Sequence, residues 1–348
     1  AGGIPGCEAR RGVRGGGCEG GGGALNYRAP HGGSPIETLP LPATIALFVL
    51  GVALVIKGGD IFVTASVAIA RHARIPNVVI GSTLVSLATT SPELAVSATA
   101  SLRGSPGLAI GNAVGSAIAN IGLILGLLCI LRPMNVLSRD FRVPSLAMLA
   151  GGILLFFLPQ AAEGGAYELR RWAGVLLLAV GIAYLFSDYW RHRPKPTQVP
   201  ETVAEGEGPA MGLVKAIALF ALGAALVIAG SRLLSDNGVI LAKRLGVPPM
   251  IIGLTLVAVG TSLPELVTAI TAARKGVPEL SLGNVVGASI MNITLVTGTA
   301  AVLSAKPLAM SRALRFYNFP AMLAIFVLLL VLARTGHRLT RREGWCLV

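Results

Sequence analysis

The chain has 348 residues, of which 53% are hydrophobic and only 13% charged, and its formal net charge is +13. Soluble domains carry charge on about a quarter of their residues, so this composition excludes an ordinary soluble protein. The basic residues lie in short segments between apolar runs, which indicates membrane topology and not a nucleic-acid partner. The four cysteines form no C-x-x-C motif and predict no metal site.

Residues 1–38 form a Gly- and Arg-rich segment without an apolar run, and we predict a disordered tail. Apolar runs of about 20 residues follow, which predict spanning helices, since barrel strands would alternate over about ten residues. A polar loop at 190–209 separates a first repeat, residues 39–189, from a second, residues 210–348. The predicted spans lie at roughly 42–69, 77–101, 108–131, 143–159, 171–189, 212–241, 249–273, 280–303 and 316–334.

Two stretches of the chain have nearly the same sequence. Residues 81–126 and 253–298 align without a gap at an offset of 172 and are identical at 22 of 46 positions. The match extends upstream, so the repeated unit comprises about five helices. Because an odd number of spans makes the second unit enter from the opposite side, we predict an all-α polytopic membrane protein with two inverted five-helix repeats and ten helices.

Residues 340–345 resemble the beginning of the fifth helix at 168–174, so we expect a tenth helix to begin there and to be truncated at Val348. With residues 1–38 left out, the side reached after the first helix carries 14 basic residues and the opposite side 8. The positive-inside rule therefore predicts a cytoplasmic loop at 190–209 and an N-terminus outside.

Glu93 and Glu265 are the strongest candidates for a functional site. They occupy equivalent positions of the two repeats, each directly after a proline. A charged group inside the bilayer costs at least a few kcal/mol and by default indicates function, although an acid pair kept for helix packing is the alternative. Proline frees a backbone carbonyl about one turn earlier, and hard cations prefer oxygen ligands. The two motifs therefore predict a cation site between the repeats.

Neutral polar side chains accompany both acids. Those that precede the acids are Thr89, Thr90, Thr261 and Ser262. A spacing of four places Thr89 and Thr261 on the helix face of the following acid. The third helix of the first repeat carries Asn112, Ser116 and Asn120 on one stripe, and the second repeat has Asn284, Ala288 and Asn292 at the matching positions. We expect Asn120 and Asn292 to line the site.

Other charged residues in the apolar runs are not repeated, because Asp60 aligns with Arg232. We predict that they form structural pairs within their own helices, Lys57 with Asp60 and Arg232 with Asp236, since both spacings allow side chains of one helix to meet.

These motifs resemble the cation/calcium exchanger superfamily, most closely its prokaryotic sodium/calcium exchanger branch. The resemblance rests on G-T-S-L-P-E-L at 260–266, T-T-S-P-E-L at 89–94 and the G-N-x-x-G blocks at 111–115 and 283–287, and it covers essentially residues 42–345. It implies ten helices, with ions bound between the second, third, seventh and eighth.

The resemblance also implies ligands for the ions. Glu93 and Glu265 would bind Ca²⁺ directly and share Na⁺ sites, and Thr89 and Thr261 would add oxygens. One Na⁺ would be held by Glu93, Thr90, Ser116 and the Ser86 carbonyl, and another by Glu265, Ser262 and the Ala258 carbonyl. Asn120 and Asn292 would line the middle of the site.

Two positions depart from the pattern. Exchangers of this type usually have Ser where Ala288 stands and often Asp where Asn292 stands, so the centre holds two carboxylates and not three. We predict a secondary antiporter that exchanges Ca²⁺ for Na⁺ by alternating access at a midplane site, with H⁺ or another cation as the alternative coupling ion. A cation channel is a less favoured alternative. An intramembrane protease at Gly58-Gly59-Asp60 lacks a second matched Asp, so we expect no enzyme and no cofactor.

Overall fold

A computed structural model of the chain describes residues 39–136, 139–161, 167–192, 211–247, 258–335 and 338–348. The expected disordered tail at 1–38 and most of the expected polar loop at 190–209 lie outside these residues. The described part is helical apart from five strands of two or three residues. This confirms the predicted class, an all-α polytopic membrane protein.

Within the described residues the helices follow the predicted spans closely, and residues 249–257, the start of the predicted span 249–273, lie outside the described part. Their bounds are α1 Leu41–Ala73, α2 Asn77–Thr89, α3 Ser91–Leu102, α4 Gly107–Leu131, α5 Arg139–Phe157, α6 Arg171–Arg191, α7 Leu213–Arg244, α8 Ala258–Thr261, α9 Leu263–Arg274, α10 Pro278–Leu303, α11 Leu314–Arg334 and α12 Arg341–Leu347. Among the described residues, six of these helices are long and apolar enough to cross a membrane, and α2 with α3 make a seventh candidate.

Both glutamate motifs interrupt their helices. The axes of α2 and α3 differ by 44°, and the break falls at Thr90, two residues before Pro92. A second break falls at Ser262, two residues before Pro264. Proline lacks the amide hydrogen and its ring clashes with the carbonyl four residues earlier, which is why a helix restarts at each of these points.

Helices α1 and α7 pack through glycines at matching positions. A Cβ on Gly51 would lie 2.9 Å from the Leu234 amide nitrogen, and one on Gly223 would lie 2.6 Å from the Phe62 amide nitrogen. Gly51 corresponds to Gly223 and Phe62 to Leu234 at the offset of 172, so the two contacts occupy equivalent positions of the repeats. Small residues let the two backbones approach closely where lipid supplies no hydrophobic driving force.

Short strands make a second recurring contact. They are β1 Met134–Asn135, β2 Gln160–Ala161, β3 Tyr167–Leu169, β4 Leu308–Met310 and β5 Arg338–Leu339. Strand β1 pairs with β5 and strand β3 with β4, both antiparallel. Each pair joins the end of the third helix of one repeat to the start of the fifth helix of the other. A twofold relation between the repeats would produce such contacts.

Helix α10 lies at the centre of the described bundle. In its most apolar window 83% of the residues are buried, whereas the value is 28% for α1 and α7 and 22% for α11. Glycines of α10 explain how its neighbours come so close. A Cβ on Gly283 would overlap the Val78 carbonyl oxygen, and one on Gly287 would overlap the Ser82 backbone. Helix α10 therefore packs directly on α2.

The glycine contact between α1 and α7 can be tested with one methyl group. We expect Gly223→Ala to destabilise the protein by about 1–3 kcal/mol, because the new Cβ meets backbone atoms that cannot move aside. Gly107→Ala is the matched control, since it lies on the exposed first turn of α4 with no described atom within 4 Å of the new Cβ. Thermal unfolding of the protein in detergent measures both, and an equal shift for the two variants would contradict the packing argument.

Candidate ion-binding site

Both candidate carboxylates lie in the first turn of a broken helix. Glu93 is the third residue of α3 and Glu265 the third residue of α9, and each is 0% exposed. The unpaired amide groups at a helix N-terminus favour a negative charge there. The breaks before the prolines thus place the two acids deep in the bundle with their helix dipoles aligned in their favour.

Direct hydrogen bonds connect the two repeats at this point. The hydroxyl Oγ1 of Thr90 donates to Glu265 Oε1 over 3.3 Å, and Thr89 Oγ1 donates to Asn284 Oδ1 over 3.2 Å. Glu93 lies three residues after Thr90 and, like Glu265, is 0% exposed. The structure therefore brings both acids and two of the predicted hydroxyls into one buried cluster.

Helix α4 holds the start of α3 in place. Asn112 Nδ2 donates to the Glu93 carbonyl oxygen over 3.5 Å and to Ser97 Oγ over 3.0 Å. Ser97 Oγ in turn donates to the Ala109 carbonyl over 3.2 Å. The acid of the first repeat is thus fixed through its backbone, which leaves its side-chain oxygens available.

The equivalent contact in the second repeat has its donor on the opposite helix. Ser281 Oγ of α10 donates to the Ala269 carbonyl of α9 over 2.6 Å. These two residues correspond to Ala109 and Ser97 at the offset of 172. The same pair of helices is therefore joined in both repeats, but the hydroxyl comes from the third helix in one and from the broken helix in the other.

Asn120 and Asn292 each begin a π-helical turn. The turns span Asn120–Leu125 and Asn292–Val296, and both asparagines are 0% exposed. The first turn contacts α9 and the second contacts α3, so each asparagine helix reaches the glutamate helix of the other repeat. Such turns are rare and occur frequently at functional sites. The two amides therefore lie in equivalent places on opposite sides of the cluster.

Several buried polar atoms in this region have no hydrogen-bond partner among the described residues. They are both carboxylate oxygens of Glu93, Oε2 of Glu265, the Ser262 hydroxyl and the side-chain amide atoms of Asn120 and Asn292. Buried polar groups are normally satisfied, so such a group of orphaned atoms needs an explanation. Most are oxygens, two of the residues are acids, and this donor set suits a hard cation such as Ca²⁺ or Na⁺.

The remaining predicted residues lie around the same helices. Ser116 is 4% exposed and lies one turn before Asn120, and Ser86 is 0% exposed with its hydroxyl 3.6 Å from Met291 Sδ. Thr261 ends α8 and is half-buried, and Ala258 begins that helix. The described residues contain no group of three or more His, Cys, Asp or Glu side chains able to hold a metal. A cation at the cluster would therefore need neutral oxygens besides the two acids.

One predicted ion pair is wrong. Asp60 does not pair with Lys57 of its own helix but with Lys275, whose Nζ lies 3.4 Å from Asp60 Oδ1. Lys275 follows the last residue of α9, so the bridge joins α9 to α1. Sequence spacing could suggest only a partner on the same helix, because the contact between α1 and α9 arises in the tertiary structure.

Sequence reasoning missed a third buried acid. Asp188 in α6 is 0% exposed and its Oδ2 accepts a hydrogen bond from Ser82 Oγ over 3.0 Å. Ser82 belongs to a π-helical turn of α2, Gly81–Val85, so Asp188 ties α6 to the helix that leads into the site. The available signal was an acid near the end of the predicted span 171–189, which the sequence analysis did not single out.

Comparisons with known proteins agree with this arrangement. The sodium/calcium exchanger protein family model matches residues 43–190 and 215–348. The chain is 34% identical over 332 residues to the sodium/calcium exchanger MaX1 of Methanosarcina acetivorans, which covers 86% of this chain and 93% of that protein. It is 35% identical over 279 residues to the inner membrane protein YrbG of Escherichia coli, with 77% and 83% covered.

A solved structure is similar as well. The sodium-calcium exchanger NCX_Mj, soaked with 10 mM Na⁺ and 10 mM Sr²⁺, matches with a TM-score of 0.76 and 30% identity, over 88% of this chain and 96% of that chain.

The hydrogen bond between Thr90 and Glu265 generates a prediction. We expect Thr90→Val to weaken Ca²⁺ binding by about tenfold or more, because a hydrogen bond to a charged group contributes about 1.5–3 kcal/mol. Thr99→Val is the matched control, since the Thr99 hydroxyl is exposed and donates only to the Ala95 carbonyl within α3. Equilibrium binding of ⁴⁵Ca²⁺ to the purified protein measures both. Unchanged binding by Thr90→Val would remove this hydroxyl from the site.

Proposed function

The chain belongs to the sodium/calcium exchanger protein family, and we propose that it exchanges Ca²⁺ for Na⁺ across the membrane at the buried cluster around Glu93 and Glu265. The observation that carries the proposal is the group of unpaired carboxylate oxygens at the starts of two broken helices, one from each repeat. Ca²⁺ and Na⁺ are the transported substrates, and no cofactor enters the proposed reaction.

Electrostatics explains why such a site would exchange ions. Two carboxylates in a low-dielectric interior cost several kcal/mol unless cations compensate them. Either one Ca²⁺ ion or two monovalent ions neutralise the two carboxylates, so Ca²⁺ and the monovalent ions compete for the same oxygens. If the site without bound ions cannot switch between the two sides of the membrane, Ca²⁺ is transported only in exchange for the monovalent ions.

Neutral oxygens complete the coordination in this proposal. On the first-repeat side one Na⁺ is held by Glu93, Thr90, Ser116 and the Ser86 carbonyl, and on the second-repeat side another is held by Glu265, Ser262 and the Ala258 carbonyl. Thr89, Thr261, Asn120 and Asn292 supply further oxygens around the central Ca²⁺. Three observations support this assignment: Glu93 and Glu265 are fully buried, Thr90 contacts Glu265, and the asparagine side chains are unpaired.

Alternating access follows from the repeated architecture that we propose. Two inverted five-helix repeats, residues 39–189 and 210–348, would expose the same site to either side in turn. The excess of basic residues favours a cytoplasmic loop at 190–209 and an N-terminus outside the inner membrane. The recurring contacts of α1 with α7 and of the short strands support a twofold relation between the repeats.

The second repeat differs from the first at a position that bears on the choice of coupling ion. Ala288 occupies the position in the second repeat that Ser116 occupies in the first. The neighbouring Ser289 hydroxyl donates to the Val285 carbonyl of its own helix over 2.9 Å. The second side therefore has one hydroxyl fewer, and Asn292 adds no charge. H⁺ in place of one Na⁺ is the alternative that this asymmetry favours.

The proposal predicts the ion dependence of uptake. Vesicles that contain the protein should take up ⁴⁵Ca²⁺ when loaded with Na⁺, and Glu93→Gln or Glu265→Gln should reduce this uptake at least about 100-fold, beyond the loss typical of residues that only support a ligand. Glu279→Gln is the control, because this acid is exposed in the first turn of α10. Transport retained by both site variants would refute the assignment.

The same vesicles separate the rival functions. Uptake driven by a proton gradient and not by Na⁺ identifies H⁺ as the coupling ion. Uptake at the same rate without any counter-ion gradient identifies a channel and contradicts exchange.

A further inference from the structure

A groove lies between α1 and α9, outside the ion cluster. Its volume is about 390 Å³, and it is lined by Val55, Ile56, Asp60, Val267, Ile270, Thr271, Arg274 and Lys275. The proposed exchange uses none of these side chains. Ile56 is 56% exposed and Arg274 is exposed, so the groove faces outward from the bundle towards lipid.

Helices α1 and α9 run in the same direction along this groove. A Cβ on Gly59 would lie 3.0 Å from Thr271 Oγ1, and further along both chains Lys275 Nζ donates to Thr64 Oγ1 over 3.1 Å. Helix α9 carries the buried Glu265 in its first turn and ends at Arg274, two residues before Gly276. The groove therefore runs from the bundle interior to the membrane surface at which α9 ends.

Polarity changes along the groove in the same order. The side chains nearest the interior are Val55, Ile56, Val267 and Ile270, and those nearest the surface are Asp60, Thr271, Arg274 and Lys275. A phospholipid has the same order, with its acyl chain towards the midplane and its phosphate at the surface. The apolar part suits one acyl chain, and the polar part lies at the end of α9, beside Asp60 and Thr64 of α1.

The charges at the polar end are unequal. Lys275 is engaged by Asp60 at 3.4 Å, whereas Arg274 makes no ion pair or hydrogen bond with any residue that the structure describes. Two cations against one acid leave the end of the groove with a net positive charge. An anionic phosphate diester would complement Arg274 and accept from both cationic side chains.

The equivalent place in the first repeat lacks this combination. At the offset of 172, Asp60 corresponds to Arg232, Lys275 to Arg103 and Arg274 to Leu102. The corresponding turn is preserved, because Gly104 and Gly276 both adopt a positive φ, of 74° and 78°. The paired acid and the free arginine are therefore features of one side only and not a consequence of the repeated backbone.

We propose that this groove binds one anionic phospholipid from the leaflet at which α9 ends, with an acyl chain against Ile56 and Ile270 and the phosphate on Arg274 and Lys275. Basic pockets between spanning helices on the cytoplasmic side bind anionic headgroups in this way. The bound lipid would cover the outer face of α9, the helix that carries Glu265.

Native mass spectrometry of the purified full chain tests this binding without any transport assay. The protein is reconstituted with phosphatidylglycerol or with phosphatidylethanolamine, and retained lipids are counted. We expect one phosphatidylglycerol to be retained preferentially, and Arg274→Gln to weaken that binding about fivefold, since one basic residue near the surface contributes about 1 kcal/mol. Arg103→Gln, at the equivalent turn of the first repeat, should leave it unchanged.

A second variant tests the apolar part while keeping every charge. Ile56→Trp should fill the groove and also reduce retention of phosphatidylglycerol, and size-exclusion chromatography checks that each variant is folded. Equal retention by the wild type, Arg274→Gln and Ile56→Trp would overturn the proposal. So would an equal loss in Arg103→Gln, or equal retention of both lipids. None of these results bears on the ion site, which the uptake measurements test separately.

Discussion

The burial of two like-charged carboxylates inside a membrane is the constraint on which this structure depends. A charge there is costly, and a second one beside it adds repulsion, so the surroundings must compensate for both. The chain does this with local devices. Helices break at the prolines so that Glu93 and Glu265 lie at N-termini, Thr90 donates to one of the acids, and two asparagine side chains stand nearby with their amides unpaired. The compensation is incomplete without a cation, and this incompleteness is what an exchanger requires.

The close approach of the helices follows from the same constraint. Hydroxyls from one repeat reach acids and amides of the other only if α10 packs directly on α2, and the glycines at 283 and 287 make that contact possible. Asp188 adds a further tie, because it fixes the π-helical turn of α2 to α6 through Ser82. The cluster around Glu93 and Glu265 is thus supported by packing and by hydrogen bonds of residues outside it.

The two halves share recurring backbone contacts but differ in side-chain chemistry. The contact between the broken helix and the third helix is made by Ser97 in one repeat and by Ser281 in the other. At the offset of 172, Ser116 corresponds to Ala288 and Asp60 corresponds to Arg232. A duplicated scaffold therefore carries unequal ligands at its centre and unequal charges at its surface. The first difference bears on the proposed choice of coupling ion, and the second gives the groove between α1 and α9 an acid, Asp60, where the equivalent position of the second repeat has Arg232.

The sequence alone predicted the spans, their breaks and the candidate residues of the proposed site, because hydropathy, proline and a 172-residue repeat act locally and can be read along the chain. It identified Glu93, Glu265 and the asparagines before any geometry was known. Only the tertiary structure decided which side chains meet: Thr90 with Glu265, Thr89 with Asn284, Ser82 with Asp188, and Asp60 with Lys275 in place of Lys57. These contacts join residues more than 100 positions apart, so no local pattern encodes them. Three of them connect the two repeats, and the contact of Ser82 with Asp188 connects two helices of the first repeat.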